Sequence, residues 1–271
     1  MNKRIEDIVA NLTRLGRYSR LLNCISEPVL QSFLFELLFA NVLETNGLEL
    51  SYEVGIRPGT NATVDFVHED NDGTRLAFEL VSPEMSNQLK AESAPIETGT
   101  KGVSTWSVLL EGSHHNPHLR PQAQTIRMQE KLLEKVDKFP EPAEGIFSTI
   151  VVDCSAFHFG HFDGEDSRMV LFGRTQNPYF QEYWSDKPIM GILNPDNNRR
   201  GAKEFRERIT AVVFIPEKDV NLFDKAFLLM NVCRSESHLR AFWLKLKSIP
   251  VLGKLRYVPL PGEWKDMEQE A

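Results

Sequence analysis

SEPVLQSFLFELLFANVLET, residues 26–45, carries a single charged side chain, Glu36, between Glu27 and Glu44. Residues 29–43 are otherwise nearly continuous in apolar character. An unpaired carboxylate costs several kcal/mol to bury, so such a group sits beside a cation, a donor network or a metal. Ser26 and Glu27 provide a helix start with Pro28 in its first turn, and Asn46-Gly47 provides a stop. The stretch is therefore expected to be a buried helix with one inward acid.

Working outward, LELSYEVGI (48–56) alternates as a strand and Pro58-Gly59 forms a turn. ATVDFVHE (62–69) and TRLAFELVS (74–82) form two further strands, joined by a hairpin at Asp72-Gly73. Each of these two strands holds one central acid, Asp65 and Glu79. The hairpin brings these acids near each other, and two adjacent carboxylates repel unless a cation lies between them. Hard oxygen ligands suit Mg²⁺ or Mn²⁺, whereas flanking Arg or Lys would make the acids structural.

In the N-terminal direction, residues 3–22 form an amphipathic helix with Ile5, Ile8, Val9, Leu12 and Leu15 on one side. In the C-terminal direction, the pattern dissolves from Pro83 to Pro121. A helix follows over about 122–139, then a strand, FSTIVVDCSAF (147–157). GAKEFRERI (201–209) reads as helix, TAVVFIP (210–216) as strand and SHLRAFWLKLKSI (237–249) as helix. Helix, three strands, helix, strand gives an α/β fold with a mixed central sheet flanked by helices. At 271 residues, one elaborated domain (1–271) is expected. Residues 26–155 would form its αβββαβ core and 156–271 a C-terminal elaboration.

The order of these elements and acids resembles the PD-(D/E)XK nuclease superfamily, the restriction-endonuclease-like fold. That resemblance assigns the helix glutamate to Glu36, the second-strand aspartate to Asp65 and the third-strand motif to Glu79-Leu80-Val81. It implies metal-dependent phosphodiester hydrolysis, with metal held by Asp65, Glu79, the Leu80 carbonyl and Glu36. The motif's lysine position is Val81. Some members place this cation or amide on the following helix. There Ile126, Leu132, Leu133, Val136 and Phe139 read as the apolar stripe with Gln129 inside it. Arg127, Lys131, Lys135 and Lys138 read as the opposite, solvated stripe. Gln129 would position substrate or water, and Lys131 is the candidate relocated lysine.

The formal net charge of −7 argues against non-specific coating of nucleic acid but leaves a metal nuclease open. The implied partner is DNA ahead of RNA, with a homodimer compatible and no membrane. Defence by restriction, or repair, is the role the family implies. The competing reading is a non-catalytic nuclease-like fold that binds protein or nucleic acid. His114, His115 and His118 lack the helical spacing of a zinc site because Pro117 interrupts them. PYFQEYW (178–184) reads first as core, second as a base-stacking surface. Scattered Cys24, Cys154 and Cys233, together with an N-terminus lacking an apolar signal core, fit reduced thiols and a cytoplasmic location.

Overall fold

The computed structural model describes residues 3–24, 30–83, 121–155, 163–174, 189–217 and 221–258. The segment 84–120, with its three histidines, and the aromatic stretch 178–184 lie outside the described residues, as does the start of the 26–45 helix.

Two helices, α1 (Lys3–Leu15) and α2 (Ser19–Asn23), precede α3 (Leu30–Thr45). The expected single helix over 3–22 is broken at Gly16, whose φ of 73° lies in the left-handed region open to glycine. The break drives Tyr18 inward, where its hydroxyl reaches the Glu44 carboxylate at the end of α3. Glu44 also receives the Leu50 amide at 2.9 Å and pairs with Arg17, so one acid fixes α2 and the next strand to α3.

Strands β1 (Ser51–Val54), β2 (Val64–Glu69) and β3 (Arg75–Val81) form an antiparallel meander. The strand expected over 48–56 pairs only at its centre. Helix α4 (Pro121–Lys135) starts on a proline, as suits a first helical turn, and tightens into a 3₁₀ turn at Val136–Lys138. It leads to β4 (Ile146–Asp153), parallel to β3. Helix α5 (Gly164–Phe172), with Asp163 closing a capping box, precedes a small hairpin of β5 (Gly173–Arg174) and β6 (Ile189–Met190). Helix α6 (Ala202–Arg208) then feeds β7 (Ala211–Ile215). The remaining elements are β8 (Phe227–Met230), α7 (Glu236–Ser248) and β9 (Arg256–Tyr257).

The main sheet is seven-stranded and mixed, in the order β1-β2-β3-β4-β7-β8-β9. Parallel pairing of β3, β4 and β7 places these strands at its centre, buried on both faces. One apolar layer joins α1, α3 and α7 to Phe78, Leu80, Val151 and Val213. The other joins α4, α5 and α6 to Ala77, Val81, Ile150, Val152 and Phe214. Among the described residues, no helix is long and apolar enough to cross a membrane.

Helix α3 is apolar on nearly all sides because it lies between the sheet and the N-terminal helices. Phe39 packs from this helix onto the sheet. Its ring lies 5.4 Å from Phe66, 5.3 Å from Phe78 and 5.9 Å from Phe223, centroid to centroid. Phe39→Ala should lower the unfolding free energy by about 3–5 kcal/mol in urea titration, with Phe39→Leu retaining most of the difference. A loss below about 1 kcal/mol would mean that α3 is not seated on the sheet as described.

Candidate metal centre at the open end of the β1–β3 meander

The Phe66–Phe78 pair fixes the β2–β3 register, and one step further sets Asp65 opposite Glu79. Here the strands turn over. Tyr52 and Phe66 pack into the α3 layer, whereas Val54 and Val64 pack with the α4 layer, although 52/54 and 64/66 are two apart in their strands. Glu53, between Tyr52 and Val54, has a φ of 51°, the one non-glycine residue in the left-handed region among the described residues. Asp65 and Glu53 thus occupy the point at which the meander changes face.

Glu36 arrives from α3 and accepts a hydrogen bond from the Tyr52 hydroxyl at 2.8 Å. Burial, followed by the negative charge of Asp65, raises its carboxyl to about 7, and the Tyr52 bond offsets only part of this. Asp65 is raised to about 6, first by burial and then by Glu79, against the pull of Lys138 and of the Leu80 amide. That amide donates to Asp65 Oδ2 at 2.7 Å. The three acids therefore feel one another electrostatically although they come from different layers.

Glu79 is 0% exposed. Its Oε1 accepts from Lys135 Nζ at 2.8 Å and from Lys138 Nζ at 2.6 Å. Lys138 Nζ also lies 3.8 Å from Asp65 Oδ1, so this ammonium bridges the two strand acids. Burial pulls the Lys135 ammonium down, but the attraction of Glu79 outweighs it and the group is raised overall. The 3₁₀ turn carrying Lys138 is held by Arg57 Nη1, which donates to the Asp137 carbonyl at 2.6 Å.

The expectation that Lys135 and Lys138 belong to a solvated stripe is thus corrected. Helix α4 ends at Lys135 and the 3₁₀ turn shifts the angular phase, while the flexible lysine stems fold back towards the sheet. Lys131 stays on the helix surface, 50% exposed and bonded to Glu134 at 2.7 Å, away from the acids. Ile126, expected in the apolar stripe, is exposed, and Met128 takes the buried place. Gln129 is 1% exposed, but its amide donates to the Val170 and Met190 carbonyls at 2.8 and 3.1 Å. Its Oε1 accepts from Arg199 Nη2 at 2.6 Å. Gln129 therefore ties α4 to α5 and β6, and no bond joins it to the acids. Val81 is 3% exposed in the apolar layer beneath α4, so a cation at that position would be enclosed by hydrocarbon.

Sequence reasoning also missed Tyr52 and Glu53. The alternation of SYEV marks a strand but contains no sign of the reversal at Glu53. Glu53 lies 2.7 Å from Arg20 and adds to the negative potential at Glu36.

Among the described residues, no group of three or more His, Cys, Asp or Glu side chains is arranged to hold a metal ion. The two ammoniums stand on the Glu79 oxygen that such a group would use. Even so, Glu79 Oε2 is buried without a hydrogen-bond partner, an orphaned anionic oxygen that a hard divalent cation would satisfy. A hard divalent cation would have to take Glu79 Oε2 and Asp65 beside, or in place of, the two ammoniums. Comparison with protein-family models, curated proteins and solved structures found no match.

Because the folded-state Glu36 and Asp65 carboxyls titrate above their unfolded values, the native chain keeps protons that the unfolded chain has lost. Stability contributed here therefore falls as pH rises from about 4 to about 7. Glu36→Gln should remove much of that loss, stabilising the protein by about 1–2 kcal/mol at pH 8 and by almost nothing at pH 4.5. Urea denaturation at the two pH values checks this. Equal differences at both would place Glu36 in an ordinary solvated setting.

Proposed function

We propose that the chain is a Mg²⁺- or Mn²⁺-dependent nuclease, with a restriction-endonuclease-like core over residues 26–155, that hydrolyses phosphodiester bonds in DNA. The observation that supports this reading is the electrostatic coupling of Glu36, Asp65 and Glu79, from one helix and two strands, with Lys135 of the next helix and Lys138 of its 3₁₀ turn on Glu79. Lys135 and Lys138 take the part that the resemblance gave to Lys131, and compensate for Val81 in the third strand. Asp65, Glu79 and the Leu80 carbonyl would hold the cation, with Glu36 beside them. A divalent cation bound there supplies Lewis acidity and an acidified water.

The remaining work falls to side chains. Tyr52 holds one oxygen of Glu36, leaving Oε1 to accept a proton from an attacking water. With a carboxyl near 7, Glu36 is matched to proton transfer at neutral pH. Lys135 and Lys138 bring positive charge to an anionic phosphate in a chain that is otherwise acidic. The three free cysteines suit a nuclease of a reducing cytoplasm, and DNA is its macromolecular partner.

A second reading is favoured because the flanking cations that would make the acids structural are present: Lys135 and Lys138 already neutralise the buried Glu79, and Lys138 also reaches Asp65. On that reading the fold is non-catalytic and the acids and lysines form a structural ion cluster. Calorimetric titration of Mn²⁺ into wild type and Asp65→Ala, followed by plasmid cleavage with both, separates the two. The nuclease reading expects saturable binding by the wild type, weakened by more than about tenfold in Asp65→Ala with cleavage lost. Absence of binding and of cleavage in the wild type would establish the structural cluster instead.

A further inference from the structure

We propose that the pocket between α6 and the turn leading into α7 binds a small phosphomonoester of mononucleotide size, its phosphate held by Arg206 and Arg234. None of the acids or lysines at the β1–β3 meander lines this pocket, and its occupancy depends on neither reading of them.

A buried asparagine builds the frame. Asn231 directly follows β8 and is 2% exposed. Its Nδ2 faces the Phe205, Arg206 and Ile209 carbonyls at 3.2, 3.0 and 2.7 Å, which satisfies the C-terminal end of α6. Its Oδ1 accepts from the Cys233 amide at 3.0 Å, and its carbonyl from the Arg234 amide at 2.9 Å. One side chain thus fixes the backbone of Arg206 and that of Arg234 against each other. The pocket they share has a volume of about 490 Å³ and is lined also by Pro142, Pro195, Glu207 and Cys233.

The two guanidiniums are engaged differently. Arg206 Nη1 lies 3.2, 3.1 and 3.2 Å from the Ile192, Asn194 and Asn197 carbonyls, which anchors the group. Arg234 has neither a side-chain hydrogen bond nor an ion pair among the described residues. Burial lowers its guanidinium, and no acid offsets this. Burial raises the Cys233 thiol while Arg206 pulls against it, so the field of Arg206 reaches the thiol. Glu207, the acid of the lining, has Lys203 beside it at 3.8 Å. A half-buried cation without a counter-charge, beside a second anchored one, suits an anionic guest.

The chemistry of that guest follows from fork and volume. Planar guanidiniums match the oxygens of a phosphate in pairs, and a phosphomonoester carries a charge of about −1.5 to −2 at neutral pH. The cavity is larger than a bare phosphate needs and falls within the roughly 300–1,000 Å³ of small-molecule pockets. Pro142 and Pro195 add apolar wall for the ligand's body.

Cys233 is exposed at the pocket and reports its occupancy. Alkylation of the wild type by N-ethylmaleimide in EDTA, read by peptide mass spectrometry, should slow several-fold at Cys233 when AMP is added. Adenosine, which lacks the phosphate, should leave the rate unchanged. Cys24 does not line the pocket and is the reference thiol that AMP leaves unaffected. Arg234→Gln should weaken the protection by AMP about tenfold or more. Lys225→Gln, which removes an exposed charge paired with Glu217, should match wild type. No protection of wild type by AMP, equal protection by adenosine, or undiminished protection of Arg234→Gln overturns the assignment. If Arg234→Gln fails to fold, AMP against adenosine on the wild type decides alone.

Discussion

A fully buried carboxylate in the middle of a sheet strand governs this structure. Glu79 lies on the α4 face of β3 between Ala77 and Val81, both packed in hydrocarbon. Its charge has no access to water, so cations must be delivered to it. Lys135 and Lys138 deliver them, which sets how α4 lies over β3 and why the helix tightens at its end. The Arg57 bond to the Asp137 carbonyl then fixes that end from the β1–β2 side. From this one burial follow the docking of α4, the placement of Asp65 opposite, and the charge that Glu36 feels from across the sheet.

Much of the frame was legible in the sequence because it depends on local patterns. Apolar periodicity located α3, α4, β2, β3, β4, β7 and α7, and Asp72-Gly73 marked the hairpin, where Gly73 has a φ of 83°. The mixed sheet between helices follows from that order. Element ends were less legible, since Gly16 interrupts a continuous amphipathic pattern and the 3₁₀ turn extends one. Strands β8 and β9 and helix α5 escaped notice because each is short and contains no alternation distinct from a loop.

In the site, the three acids could be singled out because each is a lone charge in an apolar run. Their partners could not. Whether Lys131, Lys135 or Lys138 reaches the sheet depends on the helix's rotation and on where it stops, which a helical wheel assumes rather than determines. Gln129 is inward-facing, yet what it meets is a pair of carbonyls and Arg199 brought from about 40 to 70 residues downstream. The reversal at Glu53 is a tertiary strain: a left-handed φ costs a non-glycine residue of the order of 1–2 kcal/mol and is held only by its surroundings. Single-sequence patterns contain no term for it.

Lysine stands on both strand acids, Asp65 and Glu79, and the proposed function requires that a divalent cation can bind there. Anomalous diffraction from crystals grown with Mn²⁺ tests it most directly. The proposed function expects a manganese peak at the Asp65 and Glu79 carboxylates. Density for both ammoniums still on Glu79 Oε1, with no anomalous peak at the acids, would contradict it.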